Sequence, residues 1–409
     1  QTFGVTGNYT GVSWFETEVD IPAEWKDRRI AMNIGSVRFR AEIFVNHQLA
    51  GYDLVNSTPF SIDITPFIEP GKKNVITFRI TDPNGNFNWK DSQFYTWGVY
   101  RTNPSHGFGG ITGKVEMEAT GKLYVKDVFI KNQPEPHTIE VEVRAANETG
   151  ASVTNKELCL EIKEHPNGQT VYRKNVRLES LKEGENLQTY QIKVPNAHLW
   201  SVDSPRLYDL KISLNDDAVT ERFGFRWFEI KDIKGDRQFF LNGKRIVLRT
   251  AISWGFWPYN GITPSDELAK RQITIAKELG LNMLNFHRNI GQTNILDYAD
   301  ELGLLYFEEP GGNQYPIKNF NDNDKQSNFY FAYRNEKLAR MVKRDRNHPS
   351  LLIWTPTNEE FWPDRVQYPR LMHDLYNLIR RVLSMGQAVE RISQPISGPF
   401  IITNRTPPS

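Results

Sequence analysis

The chain has 409 residues, of which 39% are hydrophobic and 12% are aromatic. A single hydrophobic core stops growing at roughly 250–300 residues, so this length predicts two or three domains. The 50 basic and 49 acidic residues give a formal net charge of +1 without a long run of either sign, which argues against nucleic acid or an anionic membrane as partner.

No stretch approaches the roughly 20 continuous apolar residues of a membrane helix. The chain opens on Gln1 without a visible signal peptide, so we expect it to be processed or a fragment. A periplasmic or secreted bacterial location is favoured over the cytoplasm. The single cysteine, Cys159, cannot form an internal disulfide and has no metal-site neighbours, which favours a structural thiol.

The first 120 residues carry the period of β structure. Charged and apolar side chains alternate over residues 15–21, 38–45 and 76–80. Such period-two runs put one face of a strand in a core and the other in water. Turn clusters at residues 69–73 and 82–85 separate the runs, so residues 1–120 are predicted to form an all-β sandwich.

A second group of strands follows. Residues 139–143 and 158–162 alternate cleanly, and Pro166-Asn167-Gly168 makes a plausible turn. The spacing is typical of an immunoglobulin-like β-sandwich of about 100 residues, which we place at residues 121–226.

After Trp227, short apolar strands alternate with helical patterns, as βα units require. Four successive units fit the first half of a (β/α)8 TIM barrel at residues 227–409. This region is shorter than the roughly 250 residues of a whole barrel, so we expect the natural protein to continue. The predicted strands are residues 246–248, 282–286, 304–307 and 351–354; the predicted helices run from an N-cap at Thr263 to Leu279, from Ile295 to Leu302, around residues 336–343 and along residues 371–382.

In such barrels the active site forms at the C-terminal ends of the strands. The residues there supply carboxylate, imidazole and indole groups, and the chain holds ten tryptophans. Sugar hydrolysis needs paired carboxylates and aromatic walls, so the set favours that chemistry. It comprises Ser253, Trp254, His287, Arg288, Glu308, Glu309, Asn358 and Glu359.

One stretch makes the comparison specific. Residues 346–359, Arg-Asn-His-Pro-Ser-Leu-Leu-Ile-Trp-Thr-Pro-Thr-Asn-Glu, resemble the acid/base signature of glycoside hydrolase family 2, the β-galactosidase, β-glucuronidase and β-mannosidase group. Residues 45–65, 199–226 and 240–244 are similar to other segments of that family. The resemblance implies an N-terminal jelly-roll-type sandwich of the sugar-binding type. It also implies an exo-acting, retaining β-glycosidase that hydrolyses terminal β-linked sugars.

By this resemblance Glu359 is the general acid/base and Asn358 binds the hydroxyl next to the anomeric carbon. A carboxyl group that first protonates the leaving oxygen and then activates water needs a raised pKa in a partly apolar wall. Trp354 and Trp362 are our candidates for that wall and for substrate contact. The alternative is that Glu359 is an ordinary loop carboxylate.

The second predicted barrel strand departs from the family pattern, because Asn285 stands where an arginine is usual. We interpret this as a change in sugar contacts. His287 is either a substrate ligand or a structural histidine. Glu308 and Glu309 either order the site and bind sugar, or form a solvated pair before Pro310.

The predicted strand ends supply no clear candidate for the second catalytic carboxylate. The family carries its nucleophile on a late barrel strand, beyond residue 409, and Glu309 is a weak substitute. We therefore expect this 409-residue chain to be catalytically incomplete. A non-catalytic carbohydrate-binding or scaffold homologue is the alternative.

We expect a carbohydrate substrate and no cofactor or metal, and we leave a homo-oligomer open. The loop at residues 97–113 either closes an exo-type pocket or is a simple sandwich turn.

Overall fold

A computed structural model describes residues 11–82, 95–97, 100–102, 110–166, 168–253, 264–287, 289–311, 325–356 and 367–383. The first unit is a β-sandwich in which the sheet β1-β7-β4-β5 packs on the sheet β11-β2-β6. Two short pairs, β3–β10 and β8–β9, and a 3₁₀ turn at Ala23–Trp25 complete it. The strands are β1 (Gly11–Asp20), β2 (Arg29–Ile34), β3 (Val37–Arg38), β4 (Arg40–Val45), β5 (Gln48–Asp53), β6 (Phe60–Asp63), β7 (Lys73–Asp82), β8 (Tyr95–Trp97), β9 (Tyr100–Thr102), β10 (Gly110–Ile111) and β11 (Val115–Thr120).

The second unit is the expected immunoglobulin-like sandwich. The sheets β12-β13-β16 and β15-β14-β17-β18 enclose an aliphatic core with a cluster of three aromatic rings, Tyr208, Phe223 and Phe225. Its strands are β12 (Leu123–Asn132), β13 (Thr138–Asn147), β14 (Val153–Glu164), β15 (Thr170–Leu181), β16 (Gly184–Lys193), β17 (Tyr208–Leu214) and β18 (Asp217–Phe223).

The third unit begins with an antiparallel sheet of β19 (Phe228–Ile233), β20 (Asp236–Leu241) and β21 (Lys244–Ile246). Four parallel strands then alternate with helices in the order β22-β23-β24-β25, as a barrel requires. None of the helices in the described ranges has the length and apolar composition for crossing a membrane. The elements are β22 (Thr250–Ser253), α1 (Asp266–Glu278), β23 (Met283–Phe286), α2 (Thr293–Leu302), β24 (Leu305–Glu308), α3 (Lys325–Asp345), β25 (Leu351–Trp354) and α4 (Gln367–Leu383).

Two local predictions were wrong, namely the first barrel strand and the N-cap of the first helix. Residues 246–248 are not the first barrel strand, because Ile246 pairs antiparallel with Phe239 and the parallel sheet starts only at Thr250. The first helix is capped by Ser265 rather than Thr263, since the Ser265 hydroxyl accepts a hydrogen bond from the Leu268 amide. The third helix also extends well beyond its predicted core, over residues 325–345.

The barrel strands have two distinct faces, because successive side chains of a strand alternate between its sides. Leu284 and Phe286 of β23 pack against the helices. Met283, on the opposite face, packs with Leu305 against the β19-β20-β21 sheet, which closes the N-terminal end of the strands. The face that carries Met283 therefore points into the barrel.

Helix α3 joins the barrel to the first sandwich. The ring of Tyr333 stacks on Phe39 with centroids 6.1 Å apart, and its hydroxyl accepts a hydrogen bond from the Asn56 amide at 3.3 Å. Two turns further on, Arg340 donates to Asp53 at 2.9 Å. The sandwich is thus fixed to the outside of the barrel through this helix.

Candidate active site

The described strand ends bring His287 and Glu309 together. Both follow a strand directly, and both continue the alternation that points Met283 and Leu305 into the barrel. His287 Nδ1 lies 3.3 Å from Glu309 Oε1, and Glu309 is buried. A carboxylate at Nδ1 selects the imidazole tautomer and orients the ring. The pair therefore places two polar side chains in a fixed arrangement at the C-terminal end of the barrel strands.

Strand β22 helps to set this position. The His287 amide donates to the Ser253 carbonyl oxygen at 2.8 Å, which continues the pairing of β22 with β23 beyond the last ladder residue. In the same way the Thr355 amide donates to the Glu308 carbonyl oxygen at 2.8 Å. These hydrogen bonds hold the first residue after β23 in register with β22, and the first residue after β25 in register with β24.

Asn285 also points into the barrel, two residues before His287. It is buried, and its Nδ2 atom has no hydrogen-bond partner within the described ranges. An unsatisfied buried amide is costly, with a penalty of about 1–3 kcal/mol. The unsatisfied Nδ2 donor makes Asn285 a candidate substrate contact, and the change in sugar contacts at this position stays a prediction.

Glu308 does not belong to the sugar-facing surface. It is buried on the helix side of β24, where its Oε1 atom accepts a hydrogen bond from the Gly291 amide at 2.7 Å and lies 3.3 Å from Arg344 Nη2. Burial raises the pKa of Glu308 well above its ordinary value, and the Asp345 carboxylate raises it further against the opposing effect of Arg344. The interpretation of Glu308 and Glu309 as a solvated pair was wrong, since both are buried.

Glu308 holds the loop between β23 and α2. Gly291 is required there because a Cβ atom at this position would lie 2.1 Å from the Phe286 ring. We expect Glu308→Ala to cost about 1–3 kcal/mol, because the Gly291 amide loses its acceptor in a buried site. Glu308→Gln keeps an acceptor and should cost less.

The Glu308→Gln variant also tests whether the Glu308 carboxyl group is protonated in the folded protein. A carboxyl group with a raised folded-state pKa destabilises the fold increasingly as the pH rises above its ordinary range. The stability of Glu308→Gln relative to the parent should therefore improve from pH 4.5 to pH 8 in urea unfolding. A constant difference across that range would contradict the raised pKa.

Trp354 lies in the core instead of on a sugar-facing wall. Its side chain is 0% exposed and packs with Leu296, Leu338 and Leu375 of the helices. This placement corrects our expectation that Trp354 contacts substrate. Asn358, Glu359 and Trp362 lie outside the described residues, as do Trp254, Arg288 and most of the loop at residues 97–113.

The front half of the signature at residues 346–359 binds the immunoglobulin-like sandwich. Arg346 donates to Asp127 at 2.6 Å. The Asn347 side chain accepts a hydrogen bond from the Ile130 amide and donates to the Val128 carbonyl oxygen, both at 3.0 Å. In the sequence this segment had no visible role apart from the catalytic one.

Two further contacts fix the start of β25. From the sandwich side, Arg226 donates to the carbonyl oxygens of Pro349 and Leu351 at 3.0 and 2.8 Å. His348 Nδ1 lies 2.6 Å from Asp300 Oδ2 at the end of α2. Burial by itself would lower the pKa of His348, but the Asp300 carboxylate raises it to about 9. A protonated His348 therefore ties β25 to α2 at neutral pH.

Among the residues that the structure describes, no group of three or more His, Cys, Asp or Glu side chains is arranged to hold a metal ion.

Three models of one protein family match the chain. The sugar binding domain of glycosyl hydrolases family 2 matches residues 4–103, a second model of the same family matches residues 123–226, and its TIM barrel domain matches residues 230–384. These ranges correspond to the three structural units in their order along the chain.

Curated relatives agree with these matches. A β-galactosidase of Thermoanaerobacter pseudethanolicus is 27% identical over 409 residues, covering 96% of this chain and 51% of that protein. A putative β-glucuronidase of Formosa agariphila is 27% identical over 362 residues, covering 86% of this chain and 40% of that protein. The chain thus spans about half the length of the curated relatives it matches.

Solved structures share the fold. A glycosyl hydrolase family 2 member from Bacteroides cellulosilyticus superposes with a TM-score of 0.77 at 22% identity, over 91% of this chain and 46% of that one. A β-glucuronidase of Bacteroides uniformis gives a TM-score of 0.72 at 23% identity, over 92% and 45% of the two chains. At these identities the likeness shows the fold alone.

Proposed function

Because the chain belongs to glycosyl hydrolases family 2, we propose that the protein is an exo-acting, retaining β-glycosidase in which Glu359 is the general acid/base. The observation that carries the proposal is the His287–Glu309 pair at the C-terminal ends of β23 and β24. Strand β25 lies beside them, and the chain runs from it into Asn358 and Glu359.

On this proposal the described residues bind and orient the sugar. His287 and Asn285 present polar groups on the inner face of the barrel, and Glu309 orients the imidazole. Asn358 binds the hydroxyl next to the anomeric carbon. Glu359 protonates the leaving oxygen in the first step and, as a carboxylate, activates water in the second.

The nucleophile must be a second carboxylate about 5–5.5 Å from the first. Glu308 is unsuitable because it faces the helices, and Glu309 contacts His287. The family resemblance implies a nucleophile on a later barrel strand, and this chain covers 51% of the length of a matched relative, so we propose that the nucleophile follows residue 409. The substrate class is a terminal β-linked sugar, with β-galactosides and β-glucuronides as first candidates from the names of the relatives.

The leaving group provides the test of Glu359. Glu359→Gln in the product of the complete gene should lower kcat/KM on an alkyl β-glycoside by about 10²–10⁴-fold, because the departing alkoxide needs a proton. Formation of the glycosyl-enzyme from the dinitrophenyl glycoside should stay near the parent rate, since that leaving group departs without protonation. Galactoside, glucuronide and mannoside versions of each substrate identify the sugar.

Glu360→Gln is the matched control, because it removes the same charge one residue away. Equal losses of Glu359→Gln on both leaving groups would contradict an acid/base role. A complete gene product that binds glycans but turns over no glycoside in the panel would instead support the non-catalytic alternative.

A further inference from the structure

The first sandwich exposes a row of four side chains across its sheet β1-β7-β4-β5. The strand register pairs Trp14 with Arg79, Arg79 with Glu42, and Glu42 with Tyr52. The opposite face of the same strands carries Ile43 and other core residues. The row therefore lies on the solvent side of the sheet, and we call it the Trp14–Tyr52 row.

The two ends of the row are large aromatic side chains in water. Trp14 is 60% exposed and Tyr52 is 63% exposed, although each lies on a regular strand. Aromatic side chains contribute most to stability when they are buried, and exposed ones grouped with polar neighbours mark binding surfaces. Phe44, in the adjacent row, has its ring centroid 5.9 Å from that of Trp14.

The middle of the row is ordered by its own charges. The Glu42 carboxylate accepts hydrogen bonds from Arg40, at 2.6 Å, and from Arg79. The Arg79 guanidinium lies 5.8 Å from the centre of the Trp14 ring. Beside this group the Glu16 carboxylate accepts a hydrogen bond from Thr77 at 2.9 Å. Polar donors and acceptors are thus held in place between the two aromatic rings.

The charges around the row balance, with Arg40 and Arg79 against Glu16 and Glu42. Further along the same face Lys73 stands against Glu18 and Asp20, so the face has no excess of positive charge. A nucleic-acid or anionic-membrane ligand would need an excess of positive charge. The core of a protein–protein interface is depleted of charged residues, whereas charges occupy the centre of this face. The charge pattern is complementary to a neutral ligand rich in hydroxyl groups.

Spacing favours an extended ligand. Neighbouring strands lie about 4.8 Å apart, so three strand steps separate Trp14 from Tyr52 by about 14 Å. Flat aromatic rings at both ends can stack on the apolar faces of sugar rings, while Arg79 and Glu42 between them bind hydroxyl groups. A chain of several sugar units spans this distance and a monosaccharide does not.

We propose that the Trp14–Tyr52 row binds a neutral β-linked polysaccharide chain, away from the catalytic mouth. Tyr52 adjoins Asp53, which is bonded to Arg340 of α3, so the row lies outside the barrel. The family model describes this domain as sugar binding, and the row gives that property a specific surface. The choice of a β-linked chain rests on the proposed function.

Binding and turnover are measured separately to test this proposal. Affinity electrophoresis and calorimetry use soluble β-galactan, xyloglucan, β-mannan and mixed-linkage β-glucan, with polygalacturonate as the anionic comparison. The parent protein should bind at least one neutral chain. Trp14→Ala and Tyr52→Ala should each raise its Kd about tenfold or more, as truncation of an aromatic anchor does.

Leu279→Ala is the control, because it truncates an exposed apolar residue on the barrel, 74% exposed. It should leave Kd unchanged, and in the product of the complete gene all three variants should keep the parent rate on a small chromogenic glycoside. Undiminished binding in the Trp14 and Tyr52 variants, binding to polygalacturonate alone, or no binding to any chain would overturn the proposal. So would dissociation of an oligomer by Trp14→Ala in light scattering, since the row would then be a contact between copies.

Discussion

An Asp300→Ala variant is expected to have a free energy of unfolding about 3–5 kcal/mol lower than the parent protein, because it leaves the partly buried, protonated His348 without its counter-charge. Asp300 is 1% exposed at the end of α2. Its Oδ2 atom lies 2.6 Å from His348 Nδ1, and its Oδ1 atom accepts the Ser350 amide hydrogen bond at 2.9 Å. Its carbonyl oxygen accepts from Trp200 Nε1 at 2.8 Å.

The pH dependence of stability identifies His348 as the group involved. Its pKa is about 9 in the folded protein and 6.5 in a model peptide. A group whose folded pKa is raised stabilises fully below its unfolded pKa, and this contribution is lost as the pH rises through the folded value. We therefore expect the parent to lose about 3 kcal/mol from this pair between about pH 6 and pH 10.

Urea unfolding at intervals across that range provides the measurement. Asp300→Asn keeps an acceptor for the Ser350 amide but loses the charge, so its stability should lie between those of the parent and Asp300→Ala. Glu301→Ala is the matched control: it breaks a partly exposed ion pair with Arg222, worth about 0–1 kcal/mol. Equal effects of Asp300→Ala and Glu301→Ala would contradict a buried charged pair.

Lys337→Met is expected to change the free energy of unfolding in the opposite direction, stabilising the protein by about 1–4 kcal/mol at pH 6 to 7. Lys337 is 2% exposed on α3, one turn from Tyr333, where the helix meets the first sandwich. Burial, and to a smaller extent the positive charge of Arg38, lower the pKa of Lys337 to about 7. Methionine has a similar length and carries no charge to desolvate.

This gain must also depend on pH. Below about pH 7 the lysine is charged in both states, so the full cost of burial applies. As the pH rises from 7 towards 10.5 the folded state holds a neutral amine, and the cost disappears. The advantage of Lys337→Met should therefore shrink between pH 7 and pH 10. Lys343→Met, on an exposed position of the same helix, should change stability little throughout. A Lys337→Met variant that is less stable than the parent at pH 6 would contradict this account.

The order of the three units was predictable because the sandwiches and the barrel differ in the spacing of their apolar residues along the sequence. Alternating residues marked the two sandwiches, and apolar strands between helical stripes marked the barrel. The bounds of the first barrel strand were not predictable in the same way. Residues 246–248 are as apolar as a barrel strand, and only the tertiary pairing of Ile246 with Phe239 shows that they close the barrel end instead.

The candidate site was partly predictable for a related reason. Two adjacent glutamates at a strand end must point to opposite sides, but their sequence does not say which one faces the barrel interior. The structure resolves this through partners: Glu309 contacts His287, and Glu308 accepts from Gly291. Trp354 was misassigned because an indole next to a catalytic motif resembles a sugar-binding wall, whereas a register shift between β24 and β25 pairs Trp354 with Glu308 and turns it towards the helices.

The attachment of residues 346–349 to the immunoglobulin-like sandwich also limits how such proteins can be rearranged. Residues Arg346 and Asn347, just before the strand that leads to Glu359, are hydrogen-bonded to Asp127, Val128 and Ile130 of the immunoglobulin-like sandwich. Exchanging that sandwich for one from a relative would move the anchor of β25 unless the partner atoms were transferred with it.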